Sequence, residues 1–279
     1  MSISTQAAVT AATSLAAELD LPSADPVVLH DGSNVVVHLR PAPVVARVAT
    51  LTALVRPGVE AWFARDVLVA EHLAARGVPA ARPLGPPVVT DATVIGLWRL
   101  VAHDAARAPA PAEVAALLAD LHGALRDLDA DLPRFGPCLD VERVLHLAAH
   151  LLPAGAGELL LAENERLRAA LADLPAQPLH GDAHPGNLLV TPGGLVWNDF
   201  EDTWLGPVGW DLACMALSRR FDGWAAVAAY PEPVPAEELA VCVDLRKLVW
   251  VTWPYARALR WPELKAEADQ QWEAWLAAR

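Results

Sequence analysis

Lysine is nearly missing from this 279-residue chain: only Lys247 and Lys265 occur, both late in the sequence, so a cationic role elsewhere falls to arginine or histidine. Cysteine is scarce too. Cys138, Cys214 and Cys242 are odd in number and widely spaced, which excludes a disulfide framework or a CxxC metal site and suits a reducing, cytoplasmic setting. No apolar run reaches the ~20 residues of a membrane-spanning helix, and the N-terminal stretch lacks the basic flank of a signal peptide. Positive charge is in deficit: 21 Lys and Arg against 34 Asp and Glu leave a net charge of −13, a field that repels nucleic acid and anionic lipid and favours a cationic small molecule. Apolar residues are plentiful, at 54% against 20% charged, which excludes a disordered chain. The length suits two modest lobes, as a monomer or homodimer.

A helix is expected over residues 5–19. The period then changes to β-branched runs at Val27–Leu29, Val35–Leu39 and Val44–Val48, separated by the turn residues Asp31-Gly32-Ser33-Asn34 and Arg40-Pro41-Ala42-Pro43. This is the pattern of a three-stranded antiparallel meander. Helical spacing at Phe63, Val67, Ala70 and Leu73 stops at Gly77 and Pro79, and β character returns at Val88-Val89 and over 93–100. Beyond the Ala108-Pro109-Ala110-Pro111 break the chain is mainly helical, with the stripe Val114, Leu117, Leu118, Leu121, Leu125 and Leu128 and further helices at 140–151, 158–173, 207–220, 236–250 and 261–278.

One stretch interrupts the helices. His180-Gly181-Asp182-Ala183-His184-Pro185-Gly186-Asn187 is a polar loop, followed by Leu188-Leu189-Val190, a turn, and Leu195-Val196-Trp197-Asn198-Asp199-Phe200. Two short strands bring Asp182, Asn187 and Asp199 together. Such a set suits phosphoryl transfer, with one carboxylate to orient an acceptor hydroxyl and take its proton, and an amide oxygen and a second carboxylate to hold Mg²⁺. The same stretch also admits a hydrolytic metal site built from His180, Asp182, His184 and Asp199.

Over residues 179–213 the chain resembles the aminoglycoside phosphotransferase and choline kinase family, relatives of the protein kinase fold. The family's HGDxxxxN motif appears as His180, Gly181, Asp182 and Asn187, its metal aspartate as Asp199, and its GDPxxDLA segment as Gly206-Pro207 followed by Asp211. The resemblance implies an α+β, two-lobed protein-kinase-like fold, with a nucleotide-binding N-lobe at 1–101 and a helical C-lobe at 102–279 that carries the catalytic loop, metal site and acceptor site. It implies Asp182 as base, Asn187 and Asp199 as Mg²⁺ ligands, Asp211 as a buried organiser of the loop, and ATP, with GTP as the alternative, as donor to a small-molecule hydroxyl. By the same likeness Ser33 lies in the turn that covers the phosphates, and Trp98, Arg99 and Val101 lie in the hinge that meets the base.

The chain departs from the family where a lysine on the third strand and a glutamate on the next helix are usual. Arg47 and Asp66 stand there, and a longer guanidinium with a shorter carboxylate can span a similar gap. That departure motivates a second class of reading, a nucleotide-binding regulator without catalysis. His180 is expected to pack beneath the loop rather than carry a proton. Glu201 and Asp202 read either as neighbours of the metal or of a cationic substrate, or as an exposed acidic turn. Trp204, Trp224, Trp250, Trp253 and Tyr255 are candidates for the aromatic wall of an acceptor pocket.

Overall fold

The computed structural model describes residues 3–279. Helix α1 (Thr5–Glu18) is capped by the Ser4 hydroxyl, which accepts from Ala7 N at 3.1 Å, and it buries Ala8, Ala12, Leu15 and Ala16. Those small residues lie against a five-stranded antiparallel sheet formed by β1 (Asp25–Asp31), β2 (Asn34–Arg40), β3 (Val44–Ala49), β4 (Val88–Val89) and β5 (Val94–Arg99), in the order β1-β2-β3-β5-β4. Alternation in β2 sends Val35, Val37 and Leu39 into the core beneath α1. Between β3 and β4 run a short helix, α2 (Leu51–Val55), and the long α3 (Val59–Ala75).

The helical lobe holds α4 (Pro111–Leu125), α5 (Gly136–Leu147), α6 (Ala156–Ala172), α7 (Gly209–Ala216), α8 (Gly223–Ala229), α9 (Ala236–Arg260) and α10 (Lys265–Ala277). Two small antiparallel pairs sit among them: β6 (Gln177–Pro178) with β9 (Leu205–Gly206), and β7 (Leu188–Thr191) with β8 (Gly194–Trp197). The segment leaving α3 docks on β8, with Trp197 N donating to Pro79 O at 3.0 Å and Ala81 N to Trp197 O at 2.8 Å. At the other side of the lobe junction Arg260 reaches the β1–β2 turn. It donates to Gly32 O at 2.9 Å and Thr50 Oγ1 at 2.7 Å and pairs with Asp31 at 2.9 Å. No helix among the described residues is long and apolar enough to cross a membrane.

Three differences from the sequence reading have physical causes. The helix expected over 207–220 stops at Ala216 and α8 starts afresh, because the chain turns so tightly that a Cβ on Gly223 would sit 2.0 Å from Met215 O. Helix α9 runs ten residues past the expected end at 250 and through Pro254, since Leu248, Val251, Tyr255 and Ala258 continue its buried stripe. Tertiary burial there outweighs one missing backbone hydrogen bond. The pair β6–β9 and helix α2 are too short to leave a period in the sequence.

Candidate active site

The loop between β6 and β7 is held from below. Asp211, at the start of α7 and wholly buried, accepts from His180 N at 2.8 Å and Gly181 N at 3.0 Å, and its Oδ2 lies 2.9 Å from His122 Nε2. Trp210 Nε1 donates to Gly181 O at 2.6 Å. Gly181 has φ +92°, and a Cβ there would fall 1.9 Å from Asp202 O, so no other residue fits this turn. His180 is fully buried between Trp197 and Phe200, with ring centroids 4.9 and 5.0 Å away, and burial lowers its pKa and keeps it neutral. It packs under the loop, as expected of it.

With the loop fixed, Asp182 projects into the cleft. Its Oδ2 lies 3.2 Å from His184 Nε2 and its Oδ1 2.9 Å from Arg246 Nη2 of α9. Burial alone would raise the Asp182 pKa, but His184 and Arg246 outweigh it and hold the carboxyl well below the ordinary range. Asn187 donates from Nδ2 to Asp182 O at 2.9 Å, which leaves its Oδ1 uncommitted.

Asp199 follows β8 with φ +70°. Its Oδ1 meets Arg47 Nη2 at 2.5 Å, and the same Nη2 lies 2.7 Å from Glu201 Oε2, while Arg47 Nη1 pairs with Asp66. Asp66 in turn accepts from Phe200 N at 2.8 Å. The β3 arginine and the α3 aspartate thus form one buried network with the end of β8. Burial opposes the Arg47 charge, but Asp199, Glu201 and Asp66 raise its pKa above the ordinary value. Burial pushes Asp66 up to about 7 and Glu201 up to about 8 against the pull of Arg47.

Two cavities meet over these side chains. One, of about 480 Å³, lies between the sheet and β7, with Val36, Val45, Trp98, Val101 and Leu189 among its walls. The other, of about 320 Å³, is walled by Trp62, Trp204, Trp210, Trp250 and Trp253 together with Arg56 and Arg65. Ser33, Asp182, His184 and Asp199 line both. The larger cavity keeps unspent donors: Trp98 Nε1 and Asn198 Nδ2 are buried without an acceptor.

All the anticipated residues, Ser33, Arg47, Asp66, Trp98, Arg99, Val101, Asp182, Asn187 and Asp199, therefore line one or both cavities. The exposed reading of the acidic turn fails for Glu201, which is 3% exposed and bonded to Asn34 and paired with Arg47 and Arg56. Of the aromatic candidates, Trp224 is exposed away from both cavities, and Tyr255 is buried with its hydroxyl on Asp269 at 3.1 Å. His180 cannot serve a hydrolytic metal, and among the described residues no group of three or more His, Cys, Asp or Glu is placed to hold one. The sequence reading missed Arg246, Arg56 and Arg65. Arg246 carried a signal, a charge one turn from the buried Cys242 of α9, whereas Arg56 and Arg65 carried none.

A family model described as "Phosphotransferase enzyme family" matches residues 24–232. No curated protein matches the sequence. Among solved structures, a choline/ethanolamine kinase family protein from Mesorhizobium loti superposes with a TM-score of 0.66 at 22% identity over 96% of this chain and 93% of its own. Choline kinase LicA from Streptococcus pneumoniae gives 0.71 at 16% over 97% and 99%, and the GDP and kanamycin complex of APH(2")-IIia gives 0.68 at 14% over 97% and 99%. These likenesses show a shared protein-kinase-like fold, with an antiparallel-sheet N-lobe and a helical C-lobe. Taken with the family match across most of its length, they place this chain in the phosphotransferase enzyme family.

Proposed function

We propose that the protein is a small-molecule kinase that transfers the γ-phosphoryl group of ATP, or of GTP, to an acceptor hydroxyl with Mg²⁺. The observation that carries this reading is the meeting of two cavities over Asp182 and Asp199. A nucleotide seated against the sheet and an acceptor seated among the tryptophans would face each other there. We take the lobe boundary at 101/102, so that the Val101 backbone meets the base and the buried donors Trp98 Nε1 and Asn198 Nδ2 find acceptors on the nucleotide. That the APH(2")-IIia structure holds GDP supports a nucleotide in this cleft.

Asn187 Oδ1 and Asp199 would hold Mg²⁺, a fit of hard oxygens to a hard cation, and the ion when bound neutralises charge on the transferring phosphoryl group. Arg47 is anchored by Asp66 and directs its guanidinium to the cleft beside Asp199, where it offers N–H groups to a phosphate. Asp182, ionised, accepts the hydrogen bond of the acceptor hydroxyl, sets its angle of approach and takes its proton as the new P–O bond forms and the bond from the γ-phosphorus to the β,γ-bridging oxygen breaks, releasing the nucleoside diphosphate. His184 and Arg246 hold that carboxylate in place. Catalysis is then mainly positioning and charge neutralisation. Isothermal titration of ATP and GTP with and without Mg²⁺ tests the reading: binding should depend on Mg²⁺ in the wild type and lose that dependence in Asp199→Asn. Failure of both nucleotides to bind would sink it.

One observation favours a second reading. Arg47 is held by three carboxylates, one of them the proposed metal ligand. A protein that binds nucleotide without turning it over would tolerate this arrangement, and it predicts Mg²⁺-independent nucleotide binding with no ADP formed on any acceptor.

A further inference from the structure

Arg260 ends α9, in the helical lobe, yet among the described residues all its polar partners lie in the sheet lobe. Nη1 donates to Gly32 O at 2.9 Å and Thr50 Oγ1 at 2.7 Å, and Nη2 donates to Thr5 Oγ1 at 3.4 Å and pairs with Asp31 Oδ1 at 2.9 Å. The side chain is only 6% exposed, and its guanidinium is backed by the Trp261 ring, 4.4 Å from the ring centre. Burying a guanidinium is costly unless it is paired and hydrogen-bonded, and here the pairing fixes one feature, the β1–β2 turn.

That turn roofs the site. Ser33 lines both cavities where they meet beside Asp182 and Asp199, and Leu29, His30 and Asn34 line the larger one. Arg260 reaches Ser33 through Thr50, whose Oγ1 accepts from Nη1 and donates to Ser33 O at 3.2 Å. Thr52 N and Oγ1 donate to the same carbonyl at 3.0 Å each. On the other side of Ser33, Asn34 Nδ2 donates to Glu201 at 3.3 Å. The turn is therefore tied to the helical lobe at both shoulders, by Asn34 on Glu201 and by Arg260. A tight turn presents its backbone N–H groups to phosphate oxygens without a loss in ordering only when it is already held in one arrangement.

Helix α9 runs unbroken back from Arg260 to Arg246, about 21 Å along its axis. Arg246 pairs with Asp182, and Val249, Trp250 and Trp253 between them wall the smaller cavity. One helix thus carries the partner of the base, a wall of the acceptor cavity and the anchor of the turn. Resting on the kinase reading above, we infer that Arg260 is a positioning residue for phosphoryl transfer: it holds the β1–β2 turn down over the meeting point of the cavities, so that the turn grips the nucleotide phosphates in register with Asp182. Arg260 lines neither cavity and acts only through the turn. Without it the turn keeps Asn34 on Glu201 but loses its outer anchor, and the closed arrangement becomes one of several.

The loss should be confined to phosphates. Isothermal titration of the full chain in Mg²⁺ with ADP and ATP, and with adenosine in competition against ADP, compares wild type, Arg260→Met, Arg260→Lys and Asp31→Asn; guanosine, GDP and GTP replace them if that series binds more tightly. With the turn competent in about a tenth of the Arg260→Met molecules, the di- and triphosphate bind about tenfold more weakly, while the nucleoside stays within about twofold of wild type. Arg260→Lys should keep part of the grip, because an ammonium can pair with Asp31 but cannot also span Gly32 and Thr50. Asp31→Asn separates anchoring from charge and serves where Arg260→Met does not fold. Removing a negative charge near the phosphates would by itself tighten their binding, whereas loss of the anchor should weaken it about threefold, as suits a pair with one part-exposed member. Unchanged phosphate affinity in Arg260→Met, a nucleoside affinity that falls in step with it, or tighter phosphate binding in Asp31→Asn overturns the inference. Wild-type protein that binds neither nucleotide series removes the kinase reading, whereas wild-type binding without a phosphate-specific loss in the variants removes this inference alone.

Discussion

Replacing Arg47 by methionine keeps a long unbranched side chain but deletes the charge that joins β3, α3 and the end of β8. Arg47 is 7% exposed and Asp66 1% exposed, so the pair lies where removing one partner costs about 3–5 kcal/mol. Two features place the loss at the lower end. Glu201 keeps Arg56 and Asn34, and Asp66 keeps the amide of Phe200 and, with its pKa already pushed up to about 7, can take a proton once its partner is gone. A loss of about 3 kcal/mol corresponds to a melting temperature lower by roughly 6–12 °C for a chain of this size. Arg47→Lys should lose about half as much, since an ammonium cannot span Asp66 and Asp199 together. The double variant Arg47→Met with Asp66→Asn should fall short of the sum of the singles, because both remove the same contact. Thermal melts followed by circular dichroism decide the matter. A melting temperature for Arg47→Met within about one degree of the wild type would show that the network contributes nothing to the fold.

Further outcomes follow from the same geometry. Asp211→Asn keeps the shape of the side chain but loses one carboxylate oxygen as acceptor for His180 N or Gly181 N; it should cost about 1–3 kcal/mol in denaturant unfolding and lower turnover more than nucleotide affinity. Gly181→Ala combines a left-handed backbone with a Cβ at 1.9 Å from Asp202 O, so the loop must move; the protein should be at least about 1–3 kcal/mol less stable and without activity, and a variant with normal turnover would refute the loop geometry. Burial pushes Asp202 up to about 6, Asp66 to about 7 and Glu201 to about 8, above the values near 4 of the unfolded chain. The folded state therefore holds protons the unfolded state has released, and this stability is complete below about pH 4 and lost as pH rises toward about 8. Ligand-free protein should melt at a lower temperature near pH 8.5 than near pH 6, and the opposite trend would contradict these directions.

What could be read from sequence was what left a period or a spacing. The meander showed itself because β-branched runs alternate with Asp-Gly-Ser-Asn and Pro-rich turns, and Asp182, Asn187 and Asp199 because a turn between two short apolar strands fixes their separation. The Arg47–Asp66 pairing was legible because the stop signal at Gly77 and Pro79 sets the register of α3. What stayed hidden depends on distant chain segments. Arg56 and Arg65 bear no local mark of burial, and only the folding of Asp140, Glu201 and Asp202 around Arg56 shows where its charge is used. The extension of α9 through Pro254 likewise comes from tertiary burial, which overrides a local breaker.

The most direct test of the central claim is release of ADP from Mg-ATP over a panel of hydroxyl acceptors, with wild type and Asp182→Asn compared side by side. Acceptor-dependent ADP that vanishes in the variant, while the variant still binds nucleotide, is the result predicted. Undiminished turnover in Asp182→Asn, or tight nucleotide binding with no ADP formed on any acceptor, would contradict it.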